Sequence, residues 1–517
     1  MWPRSVAISN PRGVGVRDRV PTDSSGGLKN SAPGIFQVLM RKRGFRFAPI
    51  FQVPMCLKNG GAFLHRMDAL NFSRCPSVTA YNRAVIESNP YMNETSTGGT
   101  MTAKNAFYAQ SGGVTAVINA SACGVIETAR KHKDKIANVY AGRNGIVGAL
   151  TEDLIDTNKE SAANIAALRH TPSGGLGSCR YKLKSLDANK REYERLIEVF
   201  KAHDIGYFFY NGGGDSADTC YKVSQLSDAM GYPVQAVHVP KTVDNDLPIT
   251  DNCPGFGSVA KYIATSALEA SFDVRSMCAT STKIFVIEVM GRHAGWIAAA
   301  GALVADRGIP VVTLFPEVEF DQEKFLAAVK TKVENFNYCT ICVSEGCHWP
   351  DGRFLAEQGT HDAFGHAQLG GAAPVVANMV KDATGYKFHW AVADYLQRAA
   401  RHLASKSDVE QAYALGKAGV EFALQGDSSI MPTVVRKSSD PYVWEVGKAP
   451  LSEVANVEKF MPEAFITEDG YGITDKCREY LYPLIQGEDY PPYEKGMPKY
   501  VTLENAPVPK KLSAFKL

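Results

Sequence analysis

Ile205–Ser216 reads IGYFFYNGGGDS, a short apolar run that empties into three consecutive glycines and a carboxylate. The run is too short for an independent helix and too continuously apolar for a half-exposed strand, so it reads as a strand buried on both faces, as in a parallel sheet. Val234–Asp246 (VQAVHVPKTVDND) repeats the pattern, with an apolar run followed by a lysine, a threonine and two aspartates. Three further strand-then-loop junctions share it: Phe107–Gln110 before Ser111-Gly112-Gly113, Ile284–Val289 before Met290–Trp296 (MGRHAGW), and Cys339–Val343 before Ser344-Glu345-Gly346. Amphipathic segments separate them, the first with Val114, Ile118 and Val125 on one face. The alternation predicts an α/β fold of two Rossmann-like domains with mainly parallel sheets and a cleft between them. In open α/β sheets ligands bind beyond the carboxyl ends of the strands, where all five polar loops fall.

Helices are also predicted over 187–202 and, as one long element, from about Asp394 through Leu424. Beyond Gly487 the proline- and tyrosine-rich tail reads as an extended strap over a neighbouring surface.

A chain of 517 residues, 45% hydrophobic and 21% charged, can bury large cores and divides into two or more domains. The net charge of +2 argues against a nucleic-acid-binding protein, and no apolar run approaches the roughly 18 residues of a membrane span. Residues 1–100 differ in kind, with 13 Lys or Arg against 5 Asp or Glu and no sustained periodicity. They read as a disordered arm, an Arg-rich presequence or, the favoured reading, an artificial upstream extension before a cytosolic start at Met101. The eleven cysteines, an odd number scattered through apolar runs, fit reduced core thiols and a cytoplasmic protein. Cys339, Cys342 and Cys347 contain one CxxC with no second pair at zinc spacing, so they too read as core thiols.

The chemistry sits in the loops. Glycines at a strand end let backbone N–H groups approach a phosphate, and the following helix N-terminus favours an anion. Gly112, Gly213 and Gly214 are placed for this, with Asp215 able to reach a metal ion. Lys241, Thr242, Asp244 and Asp246 combine a cation, a hydroxyl and two carboxylates within a few residues. In an extended loop Asp244 and Asp246 point the same way and Asn245 the other, so both carboxylates can face one ligand, one as general base. Arg292, following a strand and a glycine, suits a phosphorylated substrate, and Glu345 suits sugar hydroxyls. His293 reads as a packed, hydrogen-bonded histidine. Together these are the parts of a phosphoryl-transfer site.

In this order, SGG, GSCRYK, NGGGDS, PKTVDND, GFGSVAKY, MGRHAG, SEG and DYLQR resemble the phosphofructokinase family over roughly residues 105–480. The resemblance implies phosphoryl transfer to the 1-hydroxyl of fructose 6-phosphate. It implies a donor-binding domain over 101–255, a fructose 6-phosphate-binding domain over 256–425, and a segment over 426–517 that returns to the core and ends in the tail. Asp244 becomes the proton acceptor with Thr242 beside it and Asp246 in support, and Lys241 binds the transferring group. Gly112, Gly213 and Gly214 hold the donor. Met290, Gly291 and Arg292 line the sugar pocket, Glu345 holds its hydroxyls, and Tyr395 with Arg398 its phosphate. Lys283 falls where many relatives carry an arginine that reaches a neighbouring subunit's site, which implies a homodimer or homotetramer.

Donor choice within the family is between ATP and pyrophosphate. ATP-dependent members usually carry glycine at the positions of Asp215 and Lys241, so the carboxylate and lysine here look like the pyrophosphate-dependent branch. Many relatives have a polar side chain at the position of Gly214, where Mg²⁺ is bound, which leaves Asp215 as the nearby protein ligand. An ATP-dependent enzyme and a catalytically silent, sugar-phosphate-binding subunit stand as the alternatives.

Overall fold

The computed structural model describes residues 102–183, 189–361 and 367–517, and the expectation for residues 1–100 lies outside the described residues. The strands are β1 (Lys104–Ser111), β2 (Ile136–Gly142), β3 (Leu154–Asp156), β4 (Ser178–Cys179), β5 (Ile205–Gly212), β6 (Gln235–Pro240), β7 (Ile284–Val289), β8 (Val311–Leu314) and β9 (Cys339–Ser344). There follow β10 (Glu357–His361), β11 (Ala367–Leu369), β12 (Phe388–Val392), β13 (Ile430–Ser439), β14 (Tyr442–Pro450), β15 (Tyr493–Glu494) and β16 (Met497–Pro498).

Two sheets carry the fold. The first runs β14-β13-β6-β5-β1-β2-β3, with β4 also on β1; its inner pairs are parallel, and only the outer pairs β13–β14 and β2–β3 are antiparallel. The second, β12-β7-β9-β8, is wholly parallel. Helices pack on both sheets, so the architecture is α/β and mostly parallel, as the alternation of apolar runs and amphipathic segments requires.

Register positions the loops. Gln110 pairs with Asn211 across β1–β5, and Gly212 with Pro240 across β5–β6, so the three glycine- and aspartate-bearing loops leave the first sheet side by side. In the second sheet Val289 pairs with Ser344 and Glu288 with Val392, which aligns the loops carrying Arg292, Glu345 and Tyr395. The strands hold register through their buried side chains. Phe107, Phe208 and Tyr210 stack in series with centroids 5.8 and 5.5 Å apart, and burying each such ring contributes roughly 2–3 kcal/mol.

Two expectations about helices change. The predicted helix over Asp394–Leu424 breaks into Asp394–Ala399, a turn at Arg401–Leu403, and Lys406–Leu424. The cause is Arg401, fully buried, which leaves the helical path to donate to the Arg169 carbonyl and to pair with Asp489. Ser405 then binds the Leu484 carbonyl and starts the next helix. The helix predicted over 187–202 begins at Lys190 within the described residues. In the C-terminal segment β13 inserts beside β6, and the tail runs extended along the first sheet, with Val508 N donating to Leu154 O and Lys511 N to Glu152 Oε1.

Cys339, Cys342 and Cys347 are buried in the second sheet's core, and burial pushes each thiol well above its ordinary range.

Candidate active site

The loops from both sheets enclose a polar cleft of about 270 Å³. From the first sheet it takes Ser111, Gly112 and Gly113 after β1, Gly213–Ser216 after β5, and Lys241–Asp244 with Asp246 after β6; from the second it takes Met290, Arg292, Glu345 and Arg398. A neighbouring cavity of about 500 Å³ shares Arg180, Met290, Arg292, Glu345 and Arg398 and adds Glu288, Tyr395 and Gln397. The two spaces meet at Arg292 and Glu345.

On the first-sheet side the helix Gly214–Ala229 starts at Gly213 with its N-terminus in the cleft, where free backbone N–H groups and the helix dipole favour an anion. A Cβ on Gly214 would meet nothing within 4 Å, so that position faces open space. Gly112 has φ +73°, a left-handed conformation that glycine adopts without cost and that turns the chain at the cleft. Ser216 Oγ donates to Ser111 Oγ at 2.7 Å and ties the two loops.

Lys241 is buried and donates from Nζ to Gly113 O at 2.7 Å, with its own N–H bound to Gly212 O. Burial pulls its pKa down to about 8, against the opposing pull of the Asp244 and Asp246 carboxylates. Burial, then the charge of Asp246, pushes Asp244 up to about 6, while Lys241, Arg292 and Arg398 resist. Asp246 is also raised, first by burial. Glu345 rises to about 7, through burial and then Asp244. A carboxylate shifted toward neutrality, within reach of a substrate hydroxyl, is suited to general-base work.

The loop holding these aspartates is not extended. Asn245 has φ +56° and is fully buried, so Asp244 and Asp246 share the cleft because the chain turns left-handed between them rather than because they alternate along a strand. The turn is held by Asn245 Nδ2 donating to the Tyr480 hydroxyl and by Cys253 N donating to Asn245 Oδ1, both at 2.9 Å.

Of the residues expected from the sequence, Gly112, Gly213, Gly214, Asp215, Lys241, Thr242, Asp244, Asp246, Met290, Arg292, Glu345 and Arg398 line the first cleft. Tyr395 lies in the adjoining cavity, with the Arg398 guanidinium 3.7 Å from its ring centroid. Gly291 is buried behind, at φ +137°, its carbonyl accepting from Ser344 Oγ at 2.5 Å. Lys283 is not brought in: it stands at the opposite end of β7 and donates to the Cys278 carbonyl at 3.0 Å.

Three charged or titratable lining residues, Arg180, His293 and Glu458, were not among those expected from the sequence. Arg180, inside the quoted GSCRYK segment, lines both cavities, and its only signal was a cation just after a short strand. His293 reaches the cleft, with Nδ1 3.1 Å from Glu458 Oε2, instead of packing inside. Glu458 itself comes from a loop with no motif.

Among the described residues no three His, Cys, Asp or Glu side chains converge as a metal site. Asp215 lines the cleft beside the open space at Gly214, and its carboxylate pairs with Lys182 Nζ at 2.5 Å. One carboxylate beside a phosphate-sized space fits Mg²⁺ that takes its other ligands from phosphate oxygens and water, and does not fit an all-protein cage.

The phosphofructokinase family model matches residues 105–423. The pyrophosphate–fructose 6-phosphate 1-phosphotransferase of Methylococcus capsulatus is 72% identical over 416 residues, spanning 80% of this chain and 99% of that protein. The protein of the same name from Halomonas elongata is 67% identical, spanning 81% of this chain and 100% of its own. The crystal structure of a pyrophosphate-dependent phosphofructokinase from Nitrosospira multiformis superposes with a TM-score of 0.75 at 71% identity, over 80% of this chain and 100% of that one. A family match over more than half the sequence, joined to relatives this similar and to a cleft built from the loops that carry the motifs, places the chain in the phosphofructokinase family.

Proposed function

We propose that this protein transfers a phosphoryl group from pyrophosphate to the 1-hydroxyl of fructose 6-phosphate, giving fructose 1,6-bisphosphate and phosphate. The observation that carries the reading is that Asp244 lines the first cleft with Lys241 and interacts electrostatically with Arg292 and Glu345, the residues at which that cleft meets the adjoining cavity. The similar proteins named for this reaction support it.

In this reading pyrophosphate lies against Gly112 and the N-terminus of the helix Gly214–Ala229, with Lys241 beside the phosphorus that is transferred. Fructose 6-phosphate occupies the adjoining cavity, its phosphate toward Tyr395 and Arg398, its hydroxyls at Glu345, and Met290, Gly291 and Arg292 along its length. The sugar O1 attacks the near phosphorus in line as its proton passes to the Asp244 carboxylate, and the bridging P–O bond breaks to release phosphate. Thr242 orients Asp244, accepting from its N–H at 3.1 Å, and Asp246 supports it by charge. Lys241 and Arg292 offset the charge on the equatorial oxygens, which is where phosphoryl transfer needs help. Mg²⁺, held at Asp215, would supply further charge neutralisation. Because pyrophosphate and the sugar bisphosphate are of similar phosphoryl potential, the reaction runs both ways.

The donor-binding role belongs to the first sheet's loops and the sugar-binding role to the second's, following the division proposed at residue 255. A homodimer or homotetramer completes the reading. The edge strand β12 exposes Trp390 and Val392, with Tyr395 and Leu396 exposed just beyond, and a second copy is the partner that covers this strip. Among the described residues no helix is long and apolar enough to cross a membrane, and we place the enzyme in the cytoplasm.

The test is formation of fructose 1,6-bisphosphate from fructose 6-phosphate and Mg²⁺ with either donor alone. Turnover with pyrophosphate and not ATP supports the reading; turnover with ATP alone overturns the donor assignment, and none with either overturns catalysis.

A further inference from the structure

The loop that aims the two aspartates is held from a distant part of the chain. The Lys459 ammonium, 214 residues away from Asn245 in sequence, donates to Asn245 Oδ1 at 3.3 Å, to Thr250 O at 3.1 Å and to Asp251 O at 3.0 Å. An ammonium has three N–H donors, and all three go to one loop. The backbone closes the clamp: Lys459 N donates to Asp246 O at 2.7 Å. The clamp is itself anchored, since Trp296 Nε1 donates to Lys459 O at 3.3 Å and the ammonium lies 5.4 Å from the Trp296 ring centroid. Tyr480 braces the same turn from the other side, its hydroxyl accepting from Asn245 Nδ2 and donating to Asp251 O at 2.7 Å.

Left-handed backbone at a non-glycine residue costs on the order of 1–3 kcal/mol and persists only where the surroundings over-determine it. At Asn245 the cost falls between the two carboxylates that face the cleft. Among the described residues no carboxylate side chain accepts from Lys459, so its hydrogen bonds serve the shape of the loop rather than an ion pair.

We propose that Lys459 is a positioning residue for the reaction: its ammonium, with Tyr480, holds the left-handed turn at Asn245 and so sets where Asp244 meets the sugar hydroxyl. The inference rests on the reading of Asp244 as proton acceptor. A displacement of about 1 Å at a reacting group costs on the order of 100-fold in rate, with binding spared where the ligand contacts lie elsewhere.

The experiment measures kcat and both KM values for the full chain carrying Lys459→Met, Tyr480→Phe, Asn245→Ala or, as a reference, Asp244→Asn, with folding followed by circular dichroism and Tm. Lys459→Met is expected to lower kcat about 100-fold, leaving both KM values within about twofold of wild type in protein that is still folded. Tyr480→Phe, which keeps the ring and is expected to fold, should show the same split at about tenfold, and Asn245→Ala should not lower kcat further when added to Lys459→Met. A folded Lys459→Met enzyme with unchanged kcat overturns the proposal, as does loss of kcat only in proportion to unfolded protein. Should Lys459→Met fail to fold, unchanged kcat in Tyr480→Phe overturns it. Retained turnover in Asp244→Asn would instead bring down the proton-acceptor reading, separating the two failures.

Discussion

The ammonium of Lys182 lies 2.5 Å from the carboxylate of Asp215, which lines the cleft that the helix Gly214–Ala229 points into. Asp215 would otherwise repel an incoming anion from a site shaped to attract one, and in the proposed reading the pair occupies room that the rest of a nucleotide would need. Asp215→Gly, which clears that room and also removes the carboxylate proposed to hold Mg²⁺, is therefore expected to admit ATP as a weak donor and to raise the KM for pyrophosphate by roughly tenfold, a loss of about 1.4 kcal/mol. Steady-state kinetics with each donor checks it; unchanged donor preference would mean that the carboxylate does not select.

In the proposed mechanism Asp244 must be ionised to take a proton and Lys241 must be protonated to bind phosphate. With Asp244 at about 6 and Lys241 at about 8, kcat/KM for fructose 6-phosphate should fall below about pH 6 and again above about pH 8. The acid limb belongs to Asp244 and Asp246 together, since the two carboxylates share one cleft. Lys241→Arg is expected to remove the alkaline limb, because a guanidinium stays charged throughout. A pH–rate profile from 5 to 9 for both proteins, in about these steps, reads the result.

The same burial that tunes Asp244 costs stability. Its folded pKa is raised from 3.8 to about 6, so folding favours the protonated form: the stability it contributes is full below about pH 4 and is lost as pH rises to about 6. Asp244→Asn should accordingly unfold at a higher temperature than wild type at pH 8, with the gain vanishing near pH 4, while turnover is abolished. Calorimetry at the two pH values would contradict this if the variant were less stable at pH 8.

The exposed strip on β12 makes a separate expectation. If a second copy covers this strip as proposed, Trp390→Glu, on the edge of the second sheet, should shift the protein to monomers by light scattering, since a tryptophan central to an interface is worth on the order of 2 kcal/mol or more. If Lys283 reaches a neighbour's site, the monomer should also lose affinity for fructose 6-phosphate. A monomer with unchanged KM would confine Lys283 to its contacts with Cys278 and Asn337 within its own chain.

The tail is predicted to be structural. Glu152 accepts from Lys511 N and Leu512 N while bound to His203, and Arg195 Nη2 donates to Ser513 O. Deleting 506–517 leaves buried Glu152 without two donors, costing roughly 1–3 kcal/mol, with kcat per folded molecule unchanged. Thermal melts and kinetics on the truncated protein check both halves.

Much of this site was legible in the residues alone, and the reason is local. A strand buried on both faces must be continuously apolar and must end where polar residues begin, so the junctions at Gly212, Pro240, Val289 and Ser344 could be read directly, and parallel pairing then put their loops at one end of each sheet. Glycine, lysine, aspartate and arginine at those ends carried the chemistry with them. What sequence alone did not determine lies in contacts over long separations. The turn at Asn245 looks extended until Tyr480 and Lys459 close on it, Glu458 has no pattern that ties it to His293, and Arg401 interrupts a segment whose periodicity is helical throughout because its partner, Asp489, is 88 residues away. Those contacts exist only once both sheets and the C-terminal segment have packed, because a buried polar group takes whichever partner the tertiary fold delivers, and local propensity carries no record of which one that is.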